Sequence, residues 1–213
     1  MEKAIERLIL IVANSKSNVH WNYFIALEDD LASVSRYIEF CTANMNVFSI
    51  ELAHLLFAAA SEVDVLAKRI CDIVEPSKKR RNIDDYRSVL VNSSNIPIRF
   101  DKLFAIQLTM PRYGLAFTPW ENWAQDKNPD WWRNYNNVKH ARDEYFHQAT
   151  LHNAINSVGA LMIMNLYYHR FIWSPDLKRN SSPSDITQNL KPLSNILQFP
   201  IHYYKAPHLR DSF

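Results

Sequence analysis

The chain has 213 residues, a formal net charge of +2, ten prolines, two cysteines and two glycines, Gly114 and Gly159. A P-loop, a dinucleotide-binding fingerprint or a nucleophile elbow needs two or three glycines within a few residues. Two glycines 45 positions apart exclude all three motifs. Any phosphate chemistry must therefore use side chains, and the scarcity of glycine favours a helical fold.

The other bulk properties indicate an ordinary intracellular protein. A chain of this length forms one domain, so residues 1–213 are treated as one unit. Cys41 and Cys71 form neither a metal-binding pair nor a disulfide framework, which fits a reducing compartment. Charged residues interrupt the apolar N-terminus, and no apolar run approaches the ~20 residues of a membrane span. We therefore expect a cytoplasmic protein that does not enter a membrane.

The first 75 residues contain no proline and leave room for long helices. Apolar residues at intervals of three and four indicate amphipathic helices, with Ser49 as a cap and Pro76 as a stop. A short connection between two long helices predicts an antiparallel pair. The predicted helices span residues 4–13, 22–42 and 49–75.

The remainder of the chain divides into an insertion, a second helical block and a tail. Within the insertion, residues 76–129, apolar residues alternate on both sides of a turn at Pro111–Gly114, which predicts a small β-hairpin. Residues 130–173 predict one kinked helix or two, capped by Asp130. Residues 174–213 predict an irregular tail draped over the bundle. The expected fold is mainly α, an antiparallel helical bundle with a β-hairpin insertion and an irregular C-terminal tail.

The densest polar run, from Arg133 to His140, lies at the start of the second helical block. Seven helical positions separate its two ends, which places Arg133 and His140 on nearly one face, about 10.5 Å apart along the axis. Asn137 lies between them on that face. Arginine stabilises phosphate charge, and histidine transfers protons near pH 7. The alternative is a helix start with solvated polar side chains.

A second arginine and histidine follow, Arg142 and His147. His147 is seven residues after His140, so on a continuous helix Arg133, His140 and His147 share one stripe. A polar stripe is also typical of the solvated face of a helix. Glu62 or Asp64 of the preceding helix is a candidate to orient Arg133 or His140.

Two other clusters admit a structural and a functional interpretation. Four consecutive cations, Lys78, Lys79, Arg80 and Arg81, form either a solvated loop or a surface that holds a nucleic-acid backbone. Four tryptophans within residues 120–132 either clamp the hairpin to the bundle or stack nucleobases.

A di-metal carboxylate site is a further hypothesis. Glu51 and His54, like Glu144 and His147, form Glu-x-x-His motifs, which di-metal bundles use on two helices. Glu28 or Glu39 would supply a third ligand. The fourth ligand needs a helix between the two motifs, where the sequence instead predicts strands and turns.

The segment from Arg133 to His140 resembles the motif of the HEPN superfamily, helical bundles that are mostly dimeric and include many ribonucleases. That motif is an arginine, usually followed by Asn, Asp or His, and then a histidine after four to six residues. Here Asn134 follows Arg133, and His140 comes after six intervening residues. The helix pair at residues 22–75, with Ser61–Asp64 in its second helix, and the Trp131–Trp132 pair ahead of the motif extend the resemblance. Arg142 and His147, with four intervening residues, also fit it.

The resemblance implies metal-independent cleavage of RNA without a cofactor. His140 would move protons while the ribose 2′-hydroxyl attacks the phosphate, and Arg133 would stabilise the transition state. Arg142 and His147 would be supporting residues or the true motif pair. Asn134 and Asn137 would position groups, and Lys139 would add positive potential.

The resemblance also implies biological context. Family members form homodimers whose motifs face each other across a cleft. They often act in toxin–antitoxin or anti-phage systems, which implies RNA and an antitoxin or other defence protein as partners. Some members are only dimerisation or protein-interaction modules, and this is the alternative function.

Overall fold

The computed structural model describes residues 18–94, 96, 101–173 and 182–204. These residues form seven α-helices and one two-stranded sheet, so the predicted mainly α fold is confirmed. The predicted helix at residues 4–13 lies outside the described residues. In chain order the elements are α1 Val19–Val34, α2 Ile50–Val74, α3 Ile83–Asn92, β1 Leu108–Met110, β2 Leu115–Phe117, α4 Asp130–His140, α5 Arg142–Tyr145, α6 Leu151–Trp173 and α7 Pro183–Thr187.

Helix α6 is the centre of the bundle and is buried along almost its whole length. Near its C-terminal end, Tyr168 contacts the ring of His20, which lies at the start of α1. His20 also bonds to Glu62 in the middle of α2, whereas the C-terminal half of α1 lies against the first turns of α2. Helix α1 is therefore antiparallel to α2 and to α6, and the first two helices pair as predicted.

Backbone hydrogen bonds hold the starts of α2 and α6 together. The N–H of Leu151 donates to the carbonyl of Val47 at 2.8 Å, and the N–H of His152 donates to that of Met45 at 3.0 Å. Phe48 and Thr150 form an isolated antiparallel bridge beside them. The two longest helices consequently begin at the same end of the bundle and run parallel.

The first long helix ends at Val34, eight residues before the predicted boundary. The hydroxyls of Ser33 and Ser35 donate to backbone carbonyls in the last turn, a local bond that competes with continuation of a helix. The second helix matches its predicted bounds closely. Its cap is Ser49, whose side chain accepts the N–H of Leu52 at 3.2 Å.

The insertion contains helix α3, which the sequence analysis did not predict. Asn82 caps this helix by accepting the N–H of Asp85 at 3.0 Å. Its buried side chains follow helical spacing, at Ile83, Tyr86, Val89 and Leu90. The signal was therefore present in the sequence, but the basic run before it and the proline after it favoured interpretation as a loop.

The predicted hairpin is confirmed. Strands β1 and β2 pair antiparallel, with Leu108 opposite Phe117. Gly114 ends the turn with a φ of 62°, a left-handed conformation that glycine adopts without strain. A Cβ added to Gly159 of α6 would lie 2.6 Å from a ring carbon of Phe117, so this glycine lets the hairpin approach α6 closely.

The tryptophan cluster is structural, as the first of its two interpretations predicted. All four side chains are at most 8% exposed. Trp120 and Trp132 each pack edge-to-face with Trp131, and Trp123 packs at a tilt against Trp120. The indole N–H of Trp120 donates to the carbonyl of Ala160 in α6 at 3.4 Å, and that of Trp131 to Pro119 at 2.8 Å. The cluster therefore ties the insertion to the central helix.

The second helical block is broken at Ala141, whose φ of −146° and ψ of 65° end α4. A four-residue helix, α5, and a 3₁₀ turn at Phe146–Gln148 separate α4 from α6. The prediction that His147 shares one helical stripe with Arg133 and His140 is therefore wrong. Asp130 is the first residue of α4 rather than its cap.

The described part of the tail is anchored by one buried carboxylate. Glu28 of α1 is fully buried. It accepts the hydroxyl of Ser194 and three backbone N–H groups, from Asn195 at 2.9 Å and from Ile196 and Leu197 at 3.1 Å. Tail side chains that enter the core around this anchor are Ile186, Leu190, Ile196, Leu197, Phe199 and Tyr203.

We predict that Glu28→Gln lowers the free energy of unfolding by about 3 kcal/mol, because an amide NH₂ would replace one oxygen that accepts N–H donors in a buried site. Urea unfolding followed by circular dichroism measures the change. The exposed Glu39→Gln is the matched control and should change stability by less than about 0.5 kcal/mol. Equal midpoints for the two variants would contradict the anchoring role of Glu28.

Candidate functional site

Three of the predicted site residues, Arg133, Asn134 and His147, line one open cavity of about 490 Å³. This cavity, here called the site cavity, lies where the starts of α2, α4 and α6 meet. All of its lining residues except Phe48 have polar side chains, and two of them are histidines. The lining residues are Asn46, Phe48, Asp130, Arg133, Asn134, His147, Gln148, Thr150, His152 and Asn153.

The first turns of α4 and α6 line the site cavity, together with residues that precede α2. The N-terminus of a helix carries partial positive charge and favours anions. In α6, however, the first backbone N–H groups are already used, by the carbonyls of Val47 and Met45 and by the hydroxyl of Thr150. An anion in the cavity would therefore be bound by side chains, with the helix ends adding only a favourable field.

Arg133 is the main cation of the site cavity. Its guanidinium is 65% exposed and pairs with Asp130, one turn earlier, at 2.7 Å. An exposed ion pair contributes only about 0–1 kcal/mol. A phosphate, which accepts two parallel N–H bonds from arginine, can therefore replace the carboxylate of Asp130 at little cost.

His147 is positioned by the residue that follows it. The Nδ2 of Asn137 donates to Oε1 of Gln148 at 2.9 Å. The Nδ2 of Asn153 donates to the carbonyl of Gln148 at 2.7 Å. Helices α4 and α6 thus hold Gln148 from both sides and fix the turn that carries His147 beside Arg133. Asn137 contributes to this turn through its bond to Gln148.

The other predicted residues of α4 and α5 lie away from the site cavity. His140 is exposed at the last residue of α4 and does not line the cavity. The ammonium of Lys139 lies 5.4 Å from the ring centre of Tyr135, and the guanidinium of Arg142 lies 5.1 Å from that of Phe57. Arg142 is therefore held by an aromatic ring outside the cavity that contains His147.

A second cavity, of about 410 Å³, adjoins the site cavity. Asp130 and Arg133 line both cavities, so the guanidinium lies on the ridge between them. Ile83 also lines the second cavity and comes two residues after Arg81, so the basic run leads to its edge. The remaining lining residues are Asn122, Lys127, Asn128, Trp132, Asn136 and Asn137.

The predicted basic run is partly neutralised by acids of the protein. Arg80 pairs with Asp72 at 2.5 Å, and Arg81 pairs with Asp85 at 3.0 Å. The hydrogen bond from Arg81 lowers the pKa of the Asp85 carboxyl below its ordinary value. Lys78 and Lys79 are exposed, and in the described part of the chain they form no ion pair. These two lysines are therefore the cations most available to an external polyanion.

The acids of α2 do not orient the motif. Glu62 bonds to His20. Asp64 accepts the hydroxyl of Tyr86 at 2.6 Å and the ammonium of Lys68 at 2.5 Å. The expectation that one of these acids contacts Arg133 or His140 is therefore wrong.

The ligand set that a di-metal site needs is not present among the described residues, which contain no group of three His, Cys, Asp or Glu side chains able to hold a metal ion. Glu28, one proposed ligand, is occupied by the tail. Glu51 and His54 are exposed and lie 3.8 Å from each other. The di-metal hypothesis therefore lacks its bridging geometry in this part of the chain.

Two cavity residues, His152 and Asn153, were not predicted. His152 follows Thr150, whose hydroxyl accepts the N–H of Asn153 at 3.2 Å. The sequence signal was a capping residue just before a histidine at the start of a long apolar helix. It was overlooked because the helix was expected to continue through this point from residue 130.

Models of known protein families, curated protein sequences and solved structures give no match to this chain. The HEPN resemblance therefore rests on the sequence motif and stays a prediction. None of the helices within the described residues has the length and apolar character required to cross a membrane.

We predict that Lys78→Gln/Lys79→Gln weakens binding of a single-stranded RNA oligonucleotide and flattens its salt dependence. Each lost phosphate contact removes about 0.7 from the slope of log K against log salt concentration, so the slope should fall by about 1.4. Fluorescence anisotropy over a salt series measures this. The control Lys102→Gln/Lys191→Gln should leave the slope unchanged, and an unchanged slope in both variants would contradict the role of the basic run.

Proposed function

We propose that this protein is a metal-independent endoribonuclease that cleaves RNA at the site cavity. One observation carries the proposal: Arg133, which suits a phosphate, and His147, which suits proton transfer, line the same cavity beside the first turns of α4 and α6. The HEPN-like motif, which pairs Arg133 with His140 or Arg142 with His147, supports RNA cleavage by an arginine and a histidine but not this particular pairing. The hairpin, tail and tryptophans serve as scaffold.

The reaction follows from the groups present. The ribose 2′-oxygen attacks the adjacent phosphorus, the bond from phosphorus to the 5′-oxygen breaks, and the products are a 2′,3′-cyclic phosphate and a 5′-hydroxyl. Arg133 stabilises the charge that builds on the phosphate oxygens. A histidine transfers protons, and it needs a pKa near the working pH rather than a metal.

Either of two histidines can serve with Arg133. His147 shares the cavity with Arg133 in one chain. His140, at the far end of α4, would meet the Arg133 of a second copy if two chains face each other as the family resemblance implies. We propose the single-chain pairing because the contacts of Gln148 hold His147 in place. A cytoplasmic toxin or anti-phage role, restrained by an antitoxin or other defence protein, is the corresponding biological proposal.

We predict that purified protein cleaves RNA in excess EDTA and that Arg133→Ala and His147→Ala each lower kcat/KM by about 10²–10⁴-fold. Gel assays with end-group analysis of the cyclic phosphate measure this. Arg36→Ala, an exposed arginine beyond the end of α1, is the control and should keep wild-type activity. Full activity of His147→Ala, with loss of activity in His140→Ala, would reassign the histidine.

A mixing experiment distinguishes the single-chain site from a shared one. Arg133→Ala protein and whichever histidine variant is inactive, His147→Ala or His140→Ala, are unfolded together, refolded and assayed. A site contained in one chain predicts no recovery, because each chain keeps one defect. A site shared between two copies predicts substantial recovery, since mixed dimers would contain one intact site.

A non-catalytic interaction module is the second candidate function. The observation that favours it is a set of exposed apolar side chains around the start of α2. Phe48, which lines the site cavity, is 48% exposed, Ile50 is 62% exposed, and Tyr37, which lines a groove between α1 and α2, is 86% exposed. Exposed apolar clusters of this kind mark association surfaces. A stable dimer with no nuclease activity on varied RNAs would favour this function.

A further inference from the structure

The site cavity contains a second histidine, His152, that the motif does not include. His152 is exposed, whereas its backbone is fixed by the hydrogen bond to Met45. From the second position of α6 it lines the cavity together with Arg133 and His147. One chain thus supplies a cation and two imidazoles, the set that cleavage of RNA through a cyclic phosphate uses.

Asn153, beside His152, has a buried polar atom without a partner among the described residues. Its side chain is only 3% exposed, and its Oδ1 accepts no hydrogen bond from any described residue. A buried acceptor without a donor costs about 1–3 kcal/mol. Asn153 lines the site cavity, so this unsatisfied acceptor belongs to a residue of the cavity wall.

The surroundings of His152 favour a proton acceptor. Its Nε2 lies 3.4 Å from the Nδ2 of Asn156, and an amide nitrogen can only donate. This contact suits an unprotonated Nε2. The same Nδ2 donates a shorter bond, 2.9 Å, to the carbonyl of His152, so the contact with Nε2 is weak and a substrate hydroxyl can replace it.

We propose that His152 is the general base of the reaction and His147 its general acid, an inference that rests on the proposed function. His152 takes the proton of the 2′-hydroxyl as the 2′-oxygen forms its bond to phosphorus. The bond from phosphorus to the 5′-oxygen then breaks, and that oxygen takes a proton from the imidazolium of His147. Arg133 holds the phosphate throughout. The complete acid–base set therefore lies within one chain.

The test compares His152→Gln and His147→Gln on two substrates, an RNA oligonucleotide and uridine 3′-(4-nitrophenyl phosphate). Nitrophenolate leaves without protonation, so loss of the general acid should cost about 10²–10⁴-fold on RNA and little on the activated ester. Loss of the general base should cost about 10²–10⁴-fold on both substrates. The rise of kcat/KM with pH on the acidic side should also disappear in His152→Gln.

The matched control is His54→Gln, an exposed histidine of α2 that lies outside the site cavity, which should behave as wild type on both substrates. Melting curves of all three variants check that the fold is intact. A His152→Gln variant that keeps the acidic limb, or that loses activity on RNA alone, would overturn the assignment while leaving the proposed function standing. A wild-type protein that cleaves neither substrate would overturn both.

Discussion

The site depends on the backbone pairing between the residues before α2 and the first turn of α6. Two hydrogen bonds, from Leu151 to Val47 and from His152 to Met45, place the starts of the two longest helices side by side. Both helices are buried in the core. A shift of one helix along the other would break these two hydrogen bonds. The same pairing fixes the backbone of His152 and forms one wall of the site cavity.

This pairing also determines how a phosphate can be recognised. In many nucleotide-binding proteins, glycine-rich loops leave the N–H groups at a helix start free to bind phosphate. Here the corresponding N–H groups of α6 are bonded to the protein, and the chain has no glycine near them. A phosphate would therefore have to be bound by side chains. Arg133 is suited to this because its exposed partner, Asp130, competes only weakly with an incoming phosphate.

The sequence predicted the features that depend on the local spacing of apolar residues and on turn residues. The bounds of α2, its cap at Ser49 and the hairpin around Gly114 follow from spacing and turn chemistry, and the structure has all three. The missed features depend on contacts between distant segments. Ala141 carries no helix-breaking signal, and the turn after it is held by Asn137 and Asn153 from two different helices. No local pattern indicates that such a turn will bring His147 back beside Arg133.

The break at Ala141 therefore decides which residues can act together. On a continuous helix, Arg133, His140 and His147 would form one stripe, with neighbouring members about 10.5 Å apart along the axis, and a second chain would be needed to bring an arginine and a histidine to one phosphate. The break instead folds His147 back into the cavity of Arg133, where His152 already lies. Under the proposed function, a dimer would serve to bind or orient RNA, because the cavity of each chain already contains one arginine and two histidines.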